Sequence, residues 1–350
     1  MKRTLYVVVF LSCLLAAGPA FGGIPGTLDK TPAATLIVPF FEVGIDATAN
    51  PNDTFAIVYN RATTSSQIHY HVWDKNGNAT DLYGDVTLSG NETWAASMRG
   101  LITASTAAVR TELDDGGTYY RGFVTIDMVT AETTKNPTES GYPFATGSSS
   151  NALEGFVYYV RLAEGSSNSM SMIPINWVDH TTADGTLVGM YTTSQADGRE
   201  EFDAGARACS EILVSGTAGT CAFDAVIGRV DSRVYLDATY NAKTRIILFT
   251  WNPLIVAGPS VYCDTRACDS EYDYKQYDPD GNLVTDTTIR LPNVVNVIDV
   301  SGTSNGLVSI QNIADAPHHY MVYGFSMTNA SPATGASANW DAILPSYIEP

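Results

Sequence analysis

Positive charge is scarce in this chain: 19 Lys and Arg stand against 37 Asp and Glu in 350 residues, a formal charge of −18. A surface of that sign repels phosphate, which argues against nucleic acid or anionic lipid as a partner. Charge of either sign is thin as well, at 16% of residues, where about a quarter is usual. The exterior must therefore be built largely from Ser, Thr, Asn, Gly and Tyr. Heptads, long amphipathic helices and short solenoid repeats are missing, which removes coiled-coil and repeat architectures. The chain has five cysteines but no Cys-x-x-Cys and no His beside them, so a structural zinc site lacks its ligand spacing. Past the N-terminal segment, no apolar run reaches the roughly 20 residues that a membrane-spanning helix needs. What remains is 45% hydrophobic residues in regular alternation, the mark of folded β structure and not of a disordered acidic chain.

The N-terminus pairs a basic start, Met1-Lys2-Arg3, with the apolar run from Thr4 to Ala17 and the small residues Gly18, Ala20 and Gly22. This is the pattern of a secretory signal peptide, assigned to residues 1–22. Cys13 is preceded by Phe10-Leu11-Ser12, a poor lipobox, and the apolar run continues past it, so lipidation is not expected. The processed chain is expected to be secreted, whether periplasmic, extracellular or at the cell surface, without membrane insertion. Cys209, Cys221, Cys263 and Cys268 remain. An even number in an exported chain reads as disulfides, and of the three pairings the sequence-local one needs the least coincidence.

The stretch VGIDATANPNDTFAIVYN, Val43 to Asn60, recurs as VYLDATYNAKTRIILFTWN, Val234 to Asn252. Later landmarks keep the same order. Asp74-Lys-Asn-Gly-Asn78 is answered by Asp278-Pro-Asp-Gly-Asn282, Gly122-Phe-Val-Thr-Ile126 by Gly306-Leu-Val-Ser-Ile310, Val157-Tyr158 by Val322-Tyr323, and Asn176-Trp177 by Asn339-Trp340. The pattern predicts an all-β chain of two tandem, related antiparallel β-sandwich (Ig-like) domains from an internal duplication. The first covers 23–180 and the second 230–350, with a disulfide-bearing insertion or linker at 181–229.

Within the first unit, Leu36-Ile-Val-Pro-Phe-Phe-Glu-Val43 carries a proline in an apolar strand, which places it at an edge or bends it there. That strand, followed by one ending at Asn60, resembles the start of a group of exported bacterial β-rich proteins without known activity. The resemblance covers mainly residues 35–130 and implies export and a β-rich fold. Further along, Leu101 to Leu113 leans helical through its alanines, and Glu132 to Asn151, rich in Thr, Ser, Gly and Pro, reads as a long loop or flap.

Several residues invite a chemical reading. Asp74, Asn76 and Asn78, and likewise Asp278, Asp280 and Asn282, stand at alternate positions as calcium ligands do, with Asp85 available as a twelfth-position acid in the first copy. The second copy has Ile289 there, and hairpin-turn chemistry explains the same residues. His69 and His71 could hold a metal from one face of a strand. Their counterparts Asp273 and Lys275 instead suggest a polar, solvent-facing side. Trp73, the His pair's neighbour, is a candidate binding ring. Gly302-Thr-Ser304-Asn-Gly306 has the spacing of a nucleophile elbow but lies between two β-like runs, not between a strand and a helix. Asp46 and Asp237 recur as a pair whose expected role is an Asx-type turn contact. No cofactor is expected and no catalytic set assembles. The expected function is that of a non-enzymatic binding or structural component of the bacterial envelope or surface. A carbohydrate-binding module or carbohydrate-active enzyme is one alternative, and a subunit of a surface filament or layer is another. The partners those readings allow are a glycan, an envelope protein or the chain itself.

Overall fold

The computed structural model describes residues 32–161, 166–175, 229–251, 270–302, 305–312, 321–330, 340–345 and 347–349, apart from 47, 50, 138, 140, 146 and 239–241. The segment 1–22 read as a signal peptide, all four later cysteines, Ser304, Asn176, Trp177 and nearly all of the 181–229 segment lie outside the described residues.

The first half contains β1 (Thr35–Gly44), β2 (Asn52–Asn60), β3 (Ser66–Asp74), β4 (Ala79–Leu88), β5 (Thr93–Ser97), β6 (Asp114–Asp115), β7 (Tyr119–Val129), β8 (Leu153–Arg161), β9 (Ser166–Ser171) and β10 (Ile173–Ile175). The second contains β11 (Arg229–Val234), β12 (Lys243–Trp251), β13 (Ser270–Tyr277), β14 (Leu283–Leu291), β15 (Val295–Asp299), β16 (Gly306–Asn312), β17 (Met321–Ala330), β18 (Trp340–Pro345) and β19 (Tyr347–Glu349). The first pair of sheets has the orders β10-β1-β7-β3-β4, with β6 on β7, and β5-β2-β8-β9. The second pair reads β19-β11-β16-β13-β14 and β15-β12-β17-β18. Matched in chain order, the two pairs have the same strand neighbours. All the ladders are antiparallel.

Alternation explains the layering. Ile68 and Val72 on β3 and Val124 and Ile126 on β7 point to one side, where they meet Ala56, Val58 and Val157 of the smaller sheet in a common core. In the second half Val230, Val234, Tyr272 and Val308 meet Ile246 and Leu248 in the same way. The first core does not stop at the half's boundary, because Ile247, Phe249, Val295 and Phe325 of the second half belong to it. Pro39 acts as expected of a bend: the β1–β7 register shifts between Val38 and Phe41. Beyond that point β7 alone pairs with β1 among the described residues, the β1–β10 ladder running from Thr35 to Ile37 of β1.

Two short helices, Met98–Ala104 and Ala107–Leu113, occupy the stretch whose composition leaned helical. Ser97 and Thr106 cap them by accepting from Gly100 N and Val109 N, the usual service of a hydroxyl at an N-cap. No described helix is long and apolar enough to cross a membrane.

Candidate functional site

The two Asp-x-x-Gly-Asn segments are the β3–β4 and β13–β14 turns, and they share one hydrogen-bond pattern. Asp74 Oδ1 accepts from Asn76 N and Asn78 N at 2.8 Å, and Asp74 Oδ2 accepts from Asn78 Nδ2 at 2.9 Å. Asp278 Oδ1 accepts from Asp280 N at 3.0 Å and Asn282 N at 2.8 Å, and its Oδ2 from Asn282 Nδ2 at 2.9 Å. Gly77 and Gly281 carry the positive φ, 86° and 83°, that the turn requires. The hydrogen bonds from Asn282, its side chain first, hold Asp278 below the usual carboxylate range. In this arrangement the oxygens proposed as cation ligands face N–H donors. Asp46 makes the expected Asx contact, accepting from Thr48 N at 2.7 Å and Ala49 N at 3.1 Å, and the Thr48 N–H holds its pKa down.

His69 and His71 depart from expectation. Neither faces solvent: His69 is 0% and His71 3% exposed. Their counterparts Asp273 and Lys275 are only partly buried, so reasoning from one copy to the other failed. The cause is a cover. Twenty-three residues separate β7 from β8, and this segment folds back over the His-bearing side of the sheet. There Tyr142 meets His69 edge-on at 5.7 Å and Phe144 at 4.5 Å.

Under that flap a polar row crosses four strands. Thr35, Asp127, His69 and Asp85 are successive register partners on β1, β7, β3 and β4. Thr35 Oγ1 donates to Asp127 Oδ1 at 2.5 Å, and the Tyr142 hydroxyl donates to Asp127 Oδ2 at 3.2 Å. His69 Nδ1 lies 3.0 Å from Asp85 Oδ1, and the Thr133 N–H of the flap reaches the same carboxylate at 3.3 Å. His69 Nε2 has no hydrogen-bond partner among the described residues. In the neighbouring row, His71 stacks on Tyr83 at 5.8 Å. Trp73 is also closed in, donating from Nε1 to Thr125 Oγ1 at 2.9 Å and stacking flat on Phe123 at 5.7 Å. A His–Asp pair is a base in form, but Tyr83 and Tyr142 cover the imidazole of this one, and only Asp85 keeps some exposure, 19% of its side chain. Among the described residues no group of three or more His, Cys, Asp or Glu is placed to hold a metal.

A separate charged cluster lies farther along β1, at the junction between halves. Glu42, 5% exposed, accepts from Arg121 Nη2 and Arg245 Nη1 at 2.7 Å, so each half contributes one guanidinium. Burial pushes the Glu42 carboxyl up, but Arg245 and then Arg121 outweigh it and hold the pKa at about 2. Arg121 also donates to Asp115 at 2.6 Å, which Lys75 reaches at 2.5 Å. Phe249 lies edge-on to Phe123 at 5.2 Å, and Phe325 lies 6.2 Å from Tyr159.

The second half opens where the first is covered. A groove of about 790 Å3 runs along the outer side of its larger sheet, lined by Arg229, Arg233, Tyr235, Tyr277, Asn305 and Leu307 among others. Arg229 is held by Asp231 at 2.9 Å, whereas Arg233 is exposed and makes no ion pair among the described residues. Sequence reading missed this groove, because it is formed by residues of β11, β13 and β16 that become neighbours only through the strand order.

No protein-family model matches the chain, and no curated protein matches it. Solved structures give only distant likenesses. The apo lectin of Pleurotus ostreatus is 9% identical over 90% of this chain and 76% of its own, with a TM-score of 0.18. The lectin from the same organism in complex with GalNAc is 8% identical over 92% and 86%, with a TM-score of 0.17. The β-glucuronidase of Parabacteroides merdae is 10% identical over 87% of this chain and 27% of its own, with a TM-score of 0.13. At such scores none of them bears on what this chain does.

Proposed function

We propose that this is an exported, non-enzymatic protein of two related β-sandwich units descended from one duplicated unit, acting as a binding or structural component of the bacterial envelope or surface. The observation that carries the reading is the closure of the polar row. His69, Asp127 and Thr35 are each 0% exposed, and the side chains best suited to proton transfer serve to fasten the flap. The matching strand orders and the matching Asp-x-x-Gly-Asn turns support the duplication. Export is supported by the basic-apolar leader and by the resemblance that the Leu36–Val43 strand carries; the envelope or surface location is part of the proposal. The groove on the second half is the binding surface of this reading.

The test is to express the full chain in a bacterial host, fractionate the cells, and screen the exported form on a glycan array and against a hydrolase substrate panel. Recovery of the processed chain outside the cytoplasm, with no turnover of any substrate, is the expected result. Turnover that His69→Gln abolishes while the fold survives would sink it. A glycan hit lost in Tyr277→Ala would turn the reading toward a carbohydrate-binding module.

A further inference from the structure

We infer that the groove on the second half is a socket for another copy of this chain, filled by the outer face of the first half's β5-β2-β8-β9 sheet, so that molecules join head to tail. The inference rests on the duplication reading and extends it from descent to assembly.

Within one chain the second half already docks on the first in this way. The receiving surface is the Trp73–Phe123 row with Glu42 beside it, and the entering surface is the side of β12 and β17 that carries Arg245, Ile247, Phe249 and Phe325. Phe249 meets Phe123 at 5.2 Å and Arg245 meets Glu42 at 2.7 Å. Each surface has a counterpart in the other half that the internal contact does not use.

The counterpart of the receiving surface is the groove. Tyr277 precedes Asp278 as Trp73 precedes Asp74, and Tyr277 is the register partner of Leu307 as Trp73 is of Phe123. The adjoining glycines behave alike: a Cβ on Gly122 would lie 2.0 Å from Trp73 O, and one on Gly306 would lie 1.9 Å from Tyr277 O. In the first half this row lies beneath Phe249; in the second it lines an open groove.

The counterpart of the entering surface is the outer face of β2 and β8. Counting back from the endings Tyr59-Asn60 and Trp251-Asn252, Phe55 and Ile57 stand where Ile247 and Phe249 stand. Phe55 faces Tyr158 across its ladder as Ile247 faces Phe325. The register thus makes Phe325 the counterpart of Tyr158, and not Tyr323, which the Val-Tyr landmark of the sequence matches to it. Ile247, Phe249 and Phe325 are fully buried, whereas Phe55, Ile57 and Phe156 are half-buried and Tyr158 is 37% exposed. An apolar and aromatic stripe on an exposed sheet face is a contact surface in need of a partner. The charges fit as well. Glu154, on this face, pairs among the described residues with Arg61 alone, at 3.6 Å, and the socket offers Arg233.

Because socket and plug differ, the contact is heterologous and leaves a free end on every pair, so growth continues into a filament or closes as a ring. Sedimentation of the exported chain across a dilution series tests this. The expected result is a mass that rises with concentration. Tyr158→Arg, which spoils the plug, and Arg233→Glu or Leu307→Glu, which spoil the socket, are each expected to weaken assembly by about tenfold or more. Thermal melts unchanged from the parent would show that the variants fold. Mixing a plug variant with a socket variant is expected to give a dimer and nothing larger, since one intact plug meets one intact socket. A monomer at all concentrations overturns the inference, and so does assembly indifferent to these variants. An experimental structure separates the failures. Halves that do not superpose remove the duplication reading, whereas a monomer whose halves do superpose removes only the head-to-tail contact.

Discussion

Glu42 stands between Arg121 and Arg245 with almost no water around it, and its contribution to stability has a definite sign. The folded-state pKa, about 2, lies below the 4.5 of an unperturbed glutamate, so protons bind the unfolded chain more readily. The stabilisation is complete above pH 4.5 and is lost as pH falls toward 2, amounting to about 3 kcal/mol by linkage. Glu42→Gln, which leaves two buried guanidinium groups short of an anion, is expected to cost about 3–5 kcal/mol near neutral pH. Urea melts from pH 7 to pH 3 should show the parent losing more of its stability on acidification than the variant does. His69 is a second case. Its cross-strand place was readable from alternation, but its burial was not, because burial depends on a flap whose Ser- and Gly-rich sequence shows no core pattern. Tyr142→Phe removes one hydrogen bond to Asp127, and Thr133 and its neighbours should then exchange amide hydrogens faster while global stability falls by about 1 kcal/mol.

At the scale of elements, the hairpin turns were the most legible part of the sequence. Asp, Gly and Asn at fixed offsets specify a turn through local hydrogen bonds, and both copies form it in the same way. The bend at Pro39 was legible for a similar reason, since a missing N–H acts on its own strand. The pairing of distant strands was less so: β1 with β7, and β11 with β16, join residues far apart in sequence, and alternation says which face is buried without saying what buries it. The two turns also differ in setting. Asp74 is buried and Asp278 only partly so. Asp74→Ala removes a buried acceptor from part-buried N–H donors and is expected to cost about 1–2 kcal/mol, while Asp278→Ala, in an exposed turn whose N–H groups can turn to water, should cost less. Chemical denaturation of the two variants side by side gives the comparison.

For the whole molecule, the decisive fact is that one core holds residues of both halves. Ile247, Phe249, Val295 and Phe325 fill space left by the first pair of sheets. The described halves should therefore melt together and not in sequence, giving one calorimetric transition. Phe249→Ala empties the place where Phe123 rests and is expected to cost about 3–5 kcal/mol. If it also loosens the junction, the single transition should split into two. Two separate transitions in the parent would contradict the shared core. The repeat in the sequence pointed to two similar units but gave no sign of this dependence: Ile247 and Phe249 lie inside the repeated stretch, and alternation puts them on one face without saying that the other half covers it.

The order of synthesis gives that shared core a cost in time. Residues Trp73 and Phe123 leave the ribosome well before Phe249 exists to cover them, so for that interval the leading half carries a bare aromatic patch. Until the trailing half arrives, a holding factor or a neighbouring nascent chain is the nearest thing available to cover it.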